Sequence, residues 1–209
     1  MCLIGIDFDN TIVSYDAVLY RLALSRALIR PETTPNKRFI RDQIRRLPNG
    51  EHEWQRLQAS IYGPAMAEAT LQEGVQPFLQ RCHRERIGVC IVSHKTLLAG
   101  MDETGTDLRA AAMAWMRRRR FFDAGGLGLA EVDVHFESTR REKIERIRRL
   151  GCTHFIDDLE ETFLEEGFPA QVEKILYAPG GTSSSIPGVR VAVNWRAIDE
   201  YVGSSLAQR

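Results

Sequence analysis

Residues 3–11, Leu-Ile-Gly-Ile-Asp-Phe-Asp-Asn-Thr, place two carboxylates two positions apart at the end of a short apolar run. Such a run reads as a buried strand that delivers Asp7 and the Asp9 backbone to the edge of a sheet, where side chains meet solvent and ligand. Open α/β sheets keep their chemistry at that edge. Composition alone would put an Asp-x-Asp-x-Thr string into roughly three such chains in a hundred, so the motif needs partners elsewhere in the sequence.

After Thr11 the pattern turns helical for some sixty residues. Val18, Leu19, Leu22 and Ala23 share one side of a helix expected over residues 16–29, which Pro31 ends. Phe39, Ile40, Ile44 and Leu47 repeat at helical spacing over 36–47, and Trp54, Leu57 and Ile61 mark a third helix beginning near Glu51. Residues 15–73 therefore read as an all-helical domain inserted directly after the first strand.

From Gly74 helices and strands alternate: helices over 75–85, 107–119 and 140–150, and strands over 88–92, 132–136, 154–156 and 175–177. Residues 180–185, Gly-Gly-Thr-Ser-Ser-Ser, read as a loop; a last strand at 190–193 and a helix over 195–202 close the chain. Alternation of this kind makes a parallel sheet covered on both faces. The expected class is α/β: a Rossmann-like parallel sheet formed by residues 1–14 and 74–209, with helices on both faces, plus the small all-helical insertion at 15–73.

A length of 209 residues suits one domain with a sizeable insertion, or two small domains. With 28 basic and 28 acidic residues, no global field favours nucleic acid or a membrane surface, and neither is expected as a partner. The arginine clusters at 45–46, 117–120, 140–141 and 148–149 read as exposed helix faces and helix ends. Cys2, Cys82, Cys90 and Cys152 show no ligand spacing, and with no apolar leader or membrane-length run the expectation is a cytoplasmic protein with reduced thiols. Oligomeric state is left open by the apolar stripes of the insertion, which can pack internally or against a copy.

Three further strand and helix ends carry polar groups. Ser93, His94 and Lys95 follow the strand at 88–92, and Asp157-Asp158 follow the strand at 154–156. Thr139-Arg140-Arg141-Glu142 fits a capping box, which puts Lys143 in the first turn of its helix. From Lys143 to Gly151 that helix descends about 13 Å, and the following strand climbs back about as far, so Lys143 and Asp157 are expected at the same edge.

This ordered set resembles the haloacid dehalogenase-like superfamily over nearly the whole chain. Asp7, Asp9 and Thr11 match its Asp-x-Asp-x-Thr motif, Ser93 its strand-end Ser or Thr, Lys143 its basic residue at a helix start, and Asp157-Asp158 its late acidic pair. The helical insertion is similar to the cap module that many members carry at that point. Asn10 stands where Gly is commoner, a change that Asn's tolerance of left-handed backbone accommodates.

The resemblance implies a phosphatase in which Asp7 attacks phosphorus and becomes an aspartyl-phosphate. Bringing an anionic nucleophile to an anionic phosphate costs about 4 kcal/mol per charge pair at about 4 Å and an effective dielectric of about 20. Mg²⁺ is the implied offset, held by the Asp7 carboxylate, the Asp9 main-chain carbonyl and Asp157, with Asp158 holding a metal-bound water or orienting the other ligands. Lys143 would neutralise Asp7 and the phosphoryl oxygens, while Ser93, Thr11, the His94 amide and Lys95 are candidates for binding the phosphoryl group. Lys95 is thus a rival of Lys143 for the phosphate. Asp9 would protonate the leaving oxygen and later deprotonate water; an acid at that position favours phosphate esters over halides, which leave without a proton.

The implied substrate is a small-molecule phosphate ester. Tyr15, Asp16, Arg21, Lys37, Arg41 and Arg45 of the insertion are candidates to reach it under a closing lid, whereas His52, His83, His135 and His154 have no ligand spacing. Two alternatives stand beside hydrolysis: phosphotransfer to another acceptor, as in a sugar-phosphate mutase, and a binding or regulatory protein that keeps the fold without turnover. A receiver-type signalling domain is disfavoured, because its acidic pair ends the first strand and here the adjacent pair comes late.

Overall fold

The computed structural model describes residues 2–101, 105–123, 125–181 and 183–207; Thr182 of the expected Gly/Ser-rich loop lies outside them. The chain runs through β1 (Leu3–Ile6), β2 (Val13–Ser14), α1 (Asp16–Ser25), α2 (Lys37–Ile44) and α3 (Gly50–Tyr62). It continues with a 3-10 turn at Pro64–Glu68, β3 (Thr70–Leu71), α4 (Val75–Arg84), β4 (Gly88–His94) and α5 (Leu108–Arg118). Then come β5 (Val134–Glu137), α6 (Arg140–Leu150), β6 (His154–Asp157), α7 (Glu161–Leu164), β7 (Glu173–Tyr177), β8 (Val189–Ala192) and α8 (Trp195–Ala207).

Six strands form one parallel sheet in the order β5-β4-β1-β6-β7-β8. The strands read as continuous apolar runs because both faces are covered. One face packs Cys90, Val92, Phe155 and Leu176 against Ile144 and Ile147 of α6. The other carries α4 and α8, where Trp195 lies 5.1 Å from Phe78 and 5.9 Å from Tyr177 between ring centroids. From β1 the order proceeds to β4 and β5 on one side and to β6, β7 and β8 on the other, so the direction of winding reverses there. That reversal opens a crevice beyond the carboxyl ends of β1 and its neighbours.

The chain divides into two compact units, one of Met1–Val13, Leu71–Lys95 and Arg117–Arg209 and the other of Ser14–Thr70 and Thr96–Met116. The first contains the whole parallel sheet. In the second, α1, α2 and α3 pack against one another, Tyr15 meets Tyr62 edge-on at 5.0 Å, and the Trp115 indole N–H donates to the Ala69 carbonyl at 2.9 Å. Contacts thus group α5 as far as Met116 with the inserted helices, whereas its alternation with strands assigns it to the sheet layer.

Local departures from the sequence reading have physical causes. The first helix stops at Ser25 rather than near residue 29, because Ala27 takes a left-handed φ of 53° and the Leu28 N–H turns back to the Ala23 carbonyl at 2.9 Å. Phe39 is 57% exposed, so the apolar stripe of α2 buries Ile40 and Ile44 only. Val132, expected to open a strand, lies exposed in a 3-10 turn at Glu131–Asp133. Among the described residues no helix is long and apolar enough to cross a membrane.

Candidate active site

The residues expected to act as nucleophile, acid/base, metal ligands and phosphoryl binders all belong to the sheet unit. Asp7 follows β1 directly, and its N–H continues the ladder to the Ile156 carbonyl at 2.8 Å, which holds it beside the end of β6. Ser93, the penultimate residue of β4 on the other side, donates to Asp7 Oδ1 at 3.0 Å. The Thr139 hydroxyl accepts the Glu142 N–H at 3.1 Å while the Glu142 carboxylate accepts the Thr139 N–H at 3.0 Å, so the capping box forms. Lys143, in the turn that this box starts, reaches Asp7 Oδ1 and Asp157 Oδ2, both at 2.7 Å.

These groups are nearly dry. Asp157 is fully buried, Lys143 is 3% exposed and Asp7 5%. Burial pushes the Asp7 carboxyl up to about 6; the Lys143 ammonium pulls it down, and the Asp157 and Asp9 charges push it up again. Burial works against the Lys143 charge, yet the Asp157 and Asp7 carboxylates outweigh it and hold the ammonium above its ordinary value.

The loop after Asp7 is fixed from several sides. Asn10 has φ 63°, the left-handed conformation its side chain tolerates, and its carbonyl accepts from Gln72 Nε2 at 3.0 Å. The Trp195 indole N–H donates to the Thr11 carbonyl at 3.1 Å, and the Thr11 hydroxyl donates to Asp158 Oδ1 at 3.4 Å. Gln72 and Trp195 were not legible as parts of this loop, since no spacing rule links them to it. Asp157 Oδ1 accepts the Leu159 N–H at 2.9 Å, which aligns the carboxylate that Lys143 holds by its other oxygen.

Lys95 and His94 take separate paths. The Lys95 ammonium sits 2.8 Å from Asp9 Oδ2 and 3.1 Å from Oδ1. His94 is exposed, with Nε2 3.1 Å from the Ser138 carbonyl oxygen, and burial of part of the ring lowers its pKa. In the helical unit, Asp16 accepts the Lys37 N–H at 3.0 Å, Lys37 Nζ donates to the Tyr62 hydroxyl at 3.3 Å, Arg21 pairs with Glu68, and Arg41 and Arg45 pair with Asp42 and Glu51.

Asp7, Asp157 and Asp158 each offer a carboxylate oxygen, and these atoms lie within 4.8 Å of one another. An all-oxygen set with more negative than positive charge fits a hard dication and offers nothing to a soft one.

Solved structures share this arrangement of strands and insertion. A haloacid dehalogenase-superfamily hydrolase from Ehrlichia chaffeensis is 14% identical, with 98% of this chain and 97% of that one covered at a TM-score of 0.54. The fold is that of the haloacid dehalogenase-like hydrolases. A haloacid dehalogenase-like family protein from Streptococcus pneumoniae is also 14% identical, covering 97% and 98% of the two chains at a TM-score of 0.59. A haloacid dehalogenase-superfamily hydrolase of Bacillus subtilis, solved bound to magnesium, is 12% identical, with 96% and 98% covered and a TM-score of 0.56. No family model and no curated protein matches the sequence. The haloacid dehalogenase-like fold therefore rests on the path of the chain, and the carboxylate cluster sits at the carboxyl edge of its sheet.

Proposed function

We propose that this protein is a Mg²⁺-dependent phosphatase that hydrolyses a small phosphorylated metabolite through an aspartyl-phosphate on Asp7. The observation that carries this reading is the convergence of Asp7, Ser93, Lys143 and Asp157 on one buried point, with Asp158 close enough to complete an acidic cluster. Asp7 is the carboxylate held by both a hydroxyl and an ammonium, an arrangement that orients a nucleophile. In the first displacement an Asp7 oxygen forms the bond to phosphorus while the ester oxygen leaves with its electron pair and takes a proton from Asp9. In the second, water gives a proton to Asp9 and displaces Asp7. Lys143 and the Ser93 hydroxyl hold charge and hydrogen bonds against the transferring group.

Asp7, Asp157, Asp158 and the Asp9 carbonyl would hold the cation, which when bound supplies positive charge against the phosphoryl oxygens. In this reading the inserted helical domain, residues 15–73 by the division proposed from the sequence, selects the rest of the ester. A cytoplasmic setting fits the free thiols of Cys2, Cys82, Cys90 and Cys152.

The test is phosphate release from a broad panel of phosphorylated metabolites, with Mg²⁺ and with a chelator, comparing the intact protein with Asp7→Asn. Release that needs both the metal and Asp7 supports the reading. Formation of an isomeric phosphate ester without release would point to a mutase, and silence across the panel to a binding protein.

A further inference from the structure

Two lysines enter the site, and they serve different aspartates. Lys143 bridges Asp7 and Asp157, whereas Lys95 grips both oxygens of Asp9, at 2.8 and 3.1 Å. The Lys95 backbone is pinned where it leaves β4, its N–H donating to the Glu137 carbonyl at 2.8 Å, and the residue is only 4% exposed. Its ammonium also lies 5.7 Å from the centroid of the buried Phe8 ring, which packs edge-on against Phe136 at 6.0 Å. A buried cation bonded to two oxygens of one carboxylate restrains that carboxylate's rotation.

We propose that Lys95 is a positioning residue that holds Asp9 as the proton acceptor for the second displacement, rather than a ligand of the phosphoryl group. The proposal rests on the phosphatase reading above. The two-oxygen contact orients Asp9 for its proton transfers, and the second displacement, in which Asp9 accepts from water, is the one that an ester with a good leaving group isolates. In that step an O–H bond of water breaks and its proton passes to an Asp9 oxygen. The water oxygen bonds to phosphorus, the bond from phosphorus to Asp7 breaks, and its electron pair stays on the Asp7 carboxylate as inorganic phosphate leaves. Removing Lys95 leaves Asp9 present but without the two-oxygen contact that orients it, which slows water attack and spares the first displacement of any ester whose leaving group departs without a proton.

The experiment uses p-nitrophenyl phosphate with Mg²⁺, because nitrophenolate needs no protonation and kcat/KM then reports the first displacement alone. Lys95→Met is expected to lower kcat by about tenfold to a hundredfold with KM falling alongside it, so that kcat/KM changes by less than about threefold. A burst of nitrophenolate and accumulation of phosphorylated protein accompany that split. In an Asp9→Asn background, Lys95→Met is expected to change kcat by less than about twofold, because the lysine acts through the missing carboxylate. Lys95→Arg, which keeps a cation for Asp9, is expected to recover part of kcat and guards against a Met variant that folds poorly. Equal losses in kcat and kcat/KM, or a full further loss in the Asp9→Asn background, would overturn the proposal in favour of direct phosphate binding. An intact protein that releases no phosphate from any ester overturns the phosphatase reading itself, and this proposal with it.

Discussion

Lys143 Nζ lies 2.7 Å from Asp7 Oδ1 although 136 positions separate the two residues in the chain. A buried ammonium meets a buried carboxylate there, with Asp157 as a second acceptor at the same distance. Lys143→Met would leave two buried carboxylates without their cation, and we expect a loss of about 3–5 kcal/mol of stability with loss of phosphatase activity. Urea unfolding measures the first, and Mg²⁺ is expected to restore part of it by replacing the missing charge. An unfolding midpoint that does not move would show that the pair contributes little.

Asp7 titrates near 6 in the protein without a bound cation, chiefly because burial disfavours its charge. A carboxyl raised in this way favours the fold at low pH, and the contribution is lost as pH rises from its ordinary value of 3.8 through about 6. A divalent cation competes with that proton, so Mg²⁺ affinity should weaken as pH falls below about 6. Titration calorimetry in buffers of different ionisation enthalpy should show proton release on binding below about pH 6 and little near pH 8. Proton-independent binding across that range would contradict the assignment of Asp7 as a ligand.

Gly5 occupies the middle of β1, two residues before Asp7. An added Cβ would fall 2.6 Å from the buried Phe155 ring and 3.0 Å from Cys152 Sγ. Neither neighbour can withdraw into a packed core, and Gly5→Ala is expected to cost about 1–3 kcal/mol in urea unfolding. A neutral result would mean that Phe155 has room to turn.

Thr139 starts the helix that carries Lys143. Thr139→Ala removes the acceptor for the Glu142 N–H, and a loss of about 1 kcal/mol is expected in thermal unfolding. A fall in kcat larger than that loss of stability explains would show that the cap also sets the position of Lys143.

The main lines of the site were legible because each signal was local. An apolar run that stops at Asp7, an apolar strand that gives way to Ser93 at its end and a capping box that starts four residues before Lys143 all fix a side chain at the sheet edge by chain geometry alone. Lys95 was ambiguous for the opposite reason: whether it meets phosphate or Asp9 depends on a rotamer set by packing over Phe8, which no spacing encodes. Gln72 and Trp195 reach the Asp9–Thr11 loop across long stretches of sequence, and α5 carries the same helical periodicity whether it covers the sheet or joins the inserted helices. Ala27 ends α1 in a conformation usually signalled by Gly or Asn, so the early stop had no marker.

The central claim is that Asp7 is transiently esterified by phosphate. Acid quench during turnover of p-nitrophenyl phosphate with Mg²⁺, followed by peptide mapping, is predicted to find one phosphoryl group on the peptide containing Asp7 and none on the same peptide of Asp7→Asn. Phosphate release at full rate by Asp7→Asn, or a phosphoryl group found on another residue, would contradict it.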